Sequence, residues 1–396
     1  MAPADSPGAR MGPATSALWR LFALTRLDTA RRRHLSDCHF DEALGLCAGL
    51  NLLPQTTFAP DSSDRTQRGP HHRLLAGWLT HWAPLLLPAA STFCLALHPM
   101  PYRGDPPGLD AHYLTQRGHV GTRVLTCCAH EPDSRVVCSA TAHLTRAEQS
   151  GALRRVVECW PASTGHAPQG LSFDSQLVPS PALSRVHPRR IWCGTIRRRG
   201  AALLRRLPAL PPTAWHPAVI DLPQRRHHHV RSVDATTTRR GYAGARRQVA
   251  VDGLGHPPPT LFVANPFDVS ARDLITRYPG RTGVEDSLGI RSNCFPLDCL
   301  ASAGRLNVEV AVALTVLAPG CYRWLATQVY GFDNAKPTQL SRQCVETGGQ
   351  RAMQADRMVG HCDKRAHHPI LREAALEKAC PPIPWVHNLP VAFAYP

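Results

Sequence analysis

Three residues in the C-terminal half are of types that could do chemistry: a phenol, a guanidinium and a carboxylate in a chain short of acid. Tyr278, Arg281 and Glu285 stand in "RYPGRTGVEDSLGIRSN" (277–293), each about one helical turn from the next. Arginine is a strong donor to phosphate oxygens, and a carboxylate beside it has a clear use when it holds a cation. A second carboxylate, Asp174, lies in "GLSFDSQL" (170–177), which reads as a short buried strand ending near the acid. An acid at a strand end, another after a second strand and a glutamate on a late helix would meet at one edge of a sheet. Three carboxylates there can hold two divalent ions that flank a scissile phosphate. Hard oxygen ligands suit Mg²⁺ or Mn²⁺. The plain alternative for Glu285 is an ordinary solvent-facing helix residue.

The elements that must position these residues follow an α/β order. Residues 1–17 are rich in Ala, Pro, Gly and Ser and read as disordered. From 18 to about 90 the apolar spacing is helical, which predicts a small α-helical N-terminal DNA-binding region with a basic face. Strands are expected at "TFCLALHPM", "TRVLTCCAHE" and "SRVVCSATA". A helix follows over 145–160, with Thr145 at its N-cap and Glu148 three residues on in capping-box spacing. Residues 91–178 thus form the first part of the core, and 269–396 its C-terminal part. Between them 179–268 is rich in Arg, Pro and Thr with short β-like runs, a β-rich insertion. Ser270 is placed to cap a helix carrying Asp273, Tyr278 and Arg281.

Charge narrows the partner. The 396 residues hold 45 Lys+Arg against 29 Asp+Glu, a formal net charge of +16. Arginine clusters stand at 30–35, 196–206, 223–232 and 238–247. A polyanion, nucleic acid first, is the natural partner, since each neutralised phosphate releases condensed counterions; a solvated basic surface is the competing reading. The 14 cysteines include no CxxC pair and no regular zinc spacing. With no secretory signal at the N-terminus, free thiols and a cytoplasmic, nucleoid-associated location are expected. His227–His229 reads as a solvated loop. The apolar stretches 74–97 and 308–326 are interrupted by His81, Pro84, Pro88, Pro319 and Gly320, so both read as buried elements and not as membrane spans.

The wording of several segments adds a resemblance. "HLSDCHFDEALGLCAGLNLLP" (34–54), "LALHPMPYRGD" (95–105), "LSFDSQL" (171–177), "TIRRRG" (195–200), "PTLFVANPFDVSARDLITRY" (259–278), "LDCLASAGRLNVEVAVALTVLA" (297–318), "VETGG" (345–349) and "DKRAHHPILREAAL" (363–376) occur in this order. The chain resembles the DDE transposases of bacterial insertion sequences, over roughly residues 18–390. The resemblance implies an RNase H-like catalytic core with a β-strand insertion, two Mg²⁺ (or Mn²⁺), and strand cleavage and transfer on double-stranded DNA, at element ends and target DNA. It also implies possible self-association on that DNA. It makes Asp174 similar to the second catalytic carboxylate and Glu285 to the third, both metal-holding. Tyr278, Arg281, Arg291, Arg197, Arg198 and Arg199 become DNA-contacting residues.

The departures matter as much. Where the family reads "LDFH" this chain reads Leu95, Ala96, Leu97, His98, so Ala96 stands at the place of the first acid. Asp105 and Asp110 in the following loop are weak substitutes, because a ligand must be pre-positioned on the sheet. Ser292 replaces an expected Lys, next to Arg291. Pro279, Gly280 and Gly283 sit in a segment expected to be helical, where Pro costs about 3 and Gly about 1 kcal/mol relative to Ala. The chain reads as a decayed, N-terminally shortened copy with impaired transposition. Two alternatives stand beside that reading: a catalytically dead DNA-binding remnant, and a partly frame-shifted product.

Overall fold

The computed structural model describes residues 79–88, most of 92–277, and 305–379, 382–383 and 386–396. The longest stretches outside the description between 92 and 277 are 102–110, 115–118 and 174–182. The chain divides into two compact units. One comprises Ala76–Met100 and Gly108–Gly289; the other comprises Met1–Leu75, Pro101–Pro107 and Ile290–Pro396.

The first unit is built on one large mixed sheet. Its strands are β1 (Thr92–Pro101), β2 (Ala111–Leu114), β3 (His119–Glu131), β4 (Val136–Thr141), β5 (Gly170–Phe173), β6 (Trp192–Arg197), β7 (His216–Leu222), β8 (Arg225–Thr238), β9 (Ala245–Asp252) and β10 (Thr260–Ala264). The spatial order is β2-β3-β1-β5-β6-β10-β9-β8-β7, with β4 also paired to β3. β1, β5 and β6 run parallel. The β-rich segment is no separate sheet: β10 returns antiparallel to β6, and the meander β7–β9 extends the same ladder. Central strands buried on both faces should read as unbroken apolar runs, and Phe93, Cys94, Leu95 and Ala96 are all buried.

Helices cover the faces. After α1 (79–86) comes α2 (Gln149–Thr164). Its start follows the expected reciprocal capping in part. The Glu148 carboxylate accepts the Thr145 backbone N–H at 2.9 Å and its hydroxyl at 3.2 Å, but the helix begins at Gln149. The helix passes through Pro161 and stops at Gly165, whose φ of 79° is the left-handed value that suits glycine. Trp160 of α2 packs edge-on against Phe93 of β1 at 4.3 Å between ring centroids. The short α3 (Ala202–Arg206) and α4 (Ala271–Arg277) follow. Ser270 caps α4 as its sequence suggests, accepting the Asp273 N–H at 3.0 Å.

Each face of the outer strands has its own core. Leu274 and Ile275 of α4 join Trp192, Ile220, Val230, Val249, Val251, Phe262 and Ala264 on one side. Leu203 and Leu207 join Val233, Ala250, Leu261 and Val263 on the other. The strand period of two produces both lists from one set of strands.

The second unit contains α5 (Arg305–Gln328), which runs through Pro319, then α6 (Pro337–Leu340) and a π-helical turn at Ser341–Val345. α7 (His368–Ala374) packs Leu371 with Tyr322, Ala326, Val329, Phe332 and Leu340. A small sheet of β11 (Gly349–Met353), β12 (Met358–Cys362) and β13 (Val391–Ala394) completes it. Among the described residues, no helix is long and apolar enough to cross a membrane.

Candidate functional site

The parallel strands β1, β5 and β6 point their carboxyl ends to one edge of the sheet, where α/β proteins gather ligands. The register sets Leu95 against Phe173, and Phe173 against Thr195. Phe173 is the last residue of β5, so Asp174 follows it directly in sequence but lies outside the described residues. On β1 the next residue after the Leu95–Phe173 pair is Ala96, which is 4% exposed.

Which face Ala96 takes follows from its neighbours. Phe93, and with it Leu95, belongs to the face covered by α2, as the Phe93–Trp160 contact shows. Ala96 alternates to the opposite face, with Cys94. Cys94 is paired with Ser172, and Ser172 with Gly194. The Trp192 indole lies along this same face: a Cβ at Gly170 or Gly194 would come within 2.7 Å of its ring, and at Gly194 also within 3.2 Å of Leu274. Helix α4 therefore packs on the face to which Ala96 belongs, and α4 ends at Arg277, the residue before Tyr278 in sequence. Tyr278, Arg281, Glu285 and Arg291 lie outside the described residues.

Among the described residues no group of side chains at this edge could hold a metal ion. Ala96 offers no oxygen; the row before it on this face holds Cys94 and Ser172, and the position that follows Phe173 opposite it is Asp174, outside the described residues. Ser172 Oγ is buried and has no hydrogen-bond partner among the described residues. Hard cations need several oxygen ligands, and position 96 contributes none. Glu131, the one buried carboxylate among the described residues, is already committed to the β3–β4 turn. It accepts the Asp133 N–H at 3.3 Å and the Ser134 N–H at 2.6 Å.

A feature of the opposite end of the sheet carries no signal in composition. Asn265, the residue after β10, ties to the backbone at the amino end of β6. Its Oδ1 accepts the Cys193 N–H at 2.8 Å, its Nδ2 donates to the Ile191 carbonyl at 2.6 Å, and its own N–H reaches the Cys193 carbonyl at 3.2 Å. The "VANPF" stretch holds it, but only the fold shows its purpose.

The basic clusters divide on inspection. In the hairpin strands, Arg231 pairs with Asp252 at 2.7 Å and stacks on Trp215 at 4.9 Å. Arg247 pairs with Asp234 and donates to the Val269 carbonyl. Arg246 is buried over the Tyr242 ring at 4.6 Å, and the Tyr242 hydroxyl meets His187 Nδ1 at 3.0 Å. Burial holds the Tyr242 hydroxyl above the usual phenol range, with Arg246 opposing it. These three arginines serve the hairpin itself. By contrast Arg205 and Arg206, in the last turn of α3, are exposed and make no ion pair among the described residues. Arg197 lies on β6 opposite Leu261 in backbone register, and Arg198 and Arg199 lie outside the described residues.

Two buried thiols are held protonated by their environment. Neither Cys127 nor Cys193 is in a disulfide. Burial pushes Cys127 far above the ordinary thiol range, helped by neighbouring Cys128 and opposed by Arg155, and burial does the same to Cys193. No family model matches the chain, and no curated protein matches its sequence.

Proposed function

We propose that this chain is a DNA-binding protein of the insertion-sequence transposase type, with an RNase H-like core whose cleavage centre lacks its first carboxylate. The observation that carries the reading is Ala96. It sits one step beyond the Leu95–Phe173 pair, on the face packed by the helix that runs towards Tyr278. The strand order supports the same reading: four strands, β1 to β4, and a helix precede β5 and β6, which run parallel on the other side of β1. With the acid missing, Asp174 and Glu285 are left to hold Mg²⁺ or Mn²⁺ without their partner, and binding to DNA without cutting it is the expected activity.

Duplex DNA would be held through its phosphates, with Arg205 and Arg206 the best placed of the described arginines. Replacing both with Gln is expected to weaken duplex binding at low salt and to flatten the log–log salt slope by roughly 1.8. Arg231→Gln, which breaks an internal pair, is expected to leave the slope unchanged. Anisotropy titrations at several salt concentrations, with a nicking assay in Mg²⁺ alongside, test both halves of the reading. A salt-independent affinity would remove the DNA-binding half. Nicking by the unmodified protein that Asp174→Asn abolishes would show a complete centre and remove the other.

A further inference from the structure

The small sheet of the second unit presents a face of unusual composition. Directly paired residues in a ladder put their side chains on the same side. The register places Arg351 opposite Gly360 and Gly360 opposite Phe393, with Met353, Met358 and Val391 forming the next row on that face. Gly360 contributes no side chain, and the Phe393 ring fills the room: a Cβ at 360 would lie 3.3 Å from ring Cδ1. Phe393 is thus laid down over the middle strand, in the row of Arg351. It remains 38% exposed, and Met353 remains 51% exposed. β11 is exposed at every position except Ala352.

The ring is also held from behind. Tyr395 lies 6.1 Å from it at an interplanar angle of 32°, and packs in turn on buried His368 at 5.0 Å. Arg372 donates to the Tyr395 carbonyl at 2.8 Å. A fixed, open aromatic ring beside a guanidinium and a thioether is a stacking surface with a phosphate contact next to it.

We propose that this face binds a single strand of nucleic acid, with an unpaired base stacked on Phe393 against Met353 and a neighbouring phosphate met by Arg351. A duplex cannot use it in this way, because its bases are already stacked on each other and only an unpaired base offers a free face to a flat ring. Charge selects the occupant: a chain of net charge +16 with arginine in the aromatic row suits a polyanion better than an apolar peptide. The proposal does not depend on the carboxylates or on Ala96.

The test uses the full chain, a labelled short oligo-dT and a labelled duplex of the same length, read by anisotropy. Phe393→Leu keeps the apolar bulk and removes the aromatic face; it is expected to weaken oligo-dT binding about tenfold and to leave duplex binding as it was. Arg351→Gln is expected to lower the oligo-dT salt slope by roughly 0.7. Tyr330→Ser, at an 85% exposed aromatic on a different turn, is expected to change neither. Photo-crosslinking with 5-bromodeoxyuridine in the oligomer should label the peptide that contains Phe393. Unchanged oligo-dT affinity in Phe393→Leu overturns the proposal. So does a Phe393→Leu chain that sediments as a smaller species while binding oligo-dT normally, since the face would then be a contact between copies. Oligo-dT binding that responds to Phe393→Leu in a protein indifferent to duplex supports this face and refutes the duplex reading above.

Discussion

Ala96→Asp places a carboxylate at a position that is 4% exposed, on the same face as Cys94, Ser172 and Gly194 and one row further along. An acid buried there without a cation has its pKa lifted from about 3.9 to roughly 7, so at pH 7 and above the substitution costs about 4 kcal/mol. A hydrogen bond from Ser172, whose hydroxyl now has no partner, offsets roughly 1.5–3 kcal/mol of that. The net loss of about 1–3 kcal/mol should lower the melting temperature of a unit of this size by several degrees, at about 2–4 °C per kcal/mol. The pH dependence has a definite sign. The folded-state pKa is the raised one, so the loss is absent below about pH 4, grows as pH rises towards 7 and is constant above.

Divalent ions give the decisive measurement. If position 96 belongs to the same edge as Asp174 and Glu285, Mg²⁺ at about a hundred times its dissociation constant returns about 2.7 kcal/mol. Scanning calorimetry with and without Mg²⁺ on the unmodified chain, Ala96→Asp, Ala96→Asn and Ala96→Asp with Asp174→Asn reads this directly. The expected result is a Mg²⁺-dependent rise of several degrees for Ala96→Asp alone. A destabilised Ala96→Asp chain that ignores Mg²⁺ would refute the placement of position 96 at a metal edge. An equal rise in the unmodified chain would mean that the first acid lies elsewhere.

Three further outcomes follow from contacts already described. Gly194→Ala forces a Cβ to within 2.7 Å of the Trp192 ring, and is expected to cost about 1–3 kcal/mol in denaturant unfolding, part of it recovered by Trp192→Phe. Asn265→Ala leaves the Cys193 N–H and the Ile191 carbonyl buried and unpaired, and should lower the same midpoint by about 2–4 kcal/mol, more than a surface Asn would. Under native conditions Cys94, Cys127, Cys128, Cys138 and Cys193 should resist a thiol reagent at mildly alkaline pH until denaturant is added. Cys344 and Cys362, partly exposed but with thiols raised by burial, should react first and more slowly than free cysteine.

Local signals were readable in the sequence, and long-range ones were not. Apolar runs and their flanking turns marked β1, β3, β4, β5, β9 and β10, because burial and strand period are properties of a few consecutive residues. Ser270 declared the start of α4 for the same reason, whereas the N-cap expected at Thr145 falls at Glu148. Pro161 suggested an earlier stop for α2 than Gly165 provides, since a proline in the last turn gives up one hydrogen bond without ending the helix. The stretch around 308–326 read equally as helix or strand, and became a helix that carries Pro319 inside it. At the site, an alanine at 96 in place of an acid is an expectation of the resemblance alone. The face it occupies was not legible, since that depends on Trp160 meeting Phe93 and Trp192 meeting Leu274. Nor could charge counting separate Arg231 and Arg247, neutralised by aspartates on neighbouring strands, from Arg205 and Arg206.

The Asn265 tie has a consequence for how the protein comes off the ribosome. It joins residues 72 apart in the chain, and among the described residues β10 is the strand that covers the outer edge of β6. Until residue 265 has been synthesised, a growing chain carries β6 as an open edge with Trp192, Cys193 and Ile191 beside it, a template for pairing with another nascent chain. The meander β7–β9 has short-range contacts and can assemble during that interval, whereas β6 must wait. Translation that pauses between β6 and β10 therefore exposes the chain to aggregation, and a truncation before Asn265 should collect in the insoluble fraction even with β1 to β6 complete.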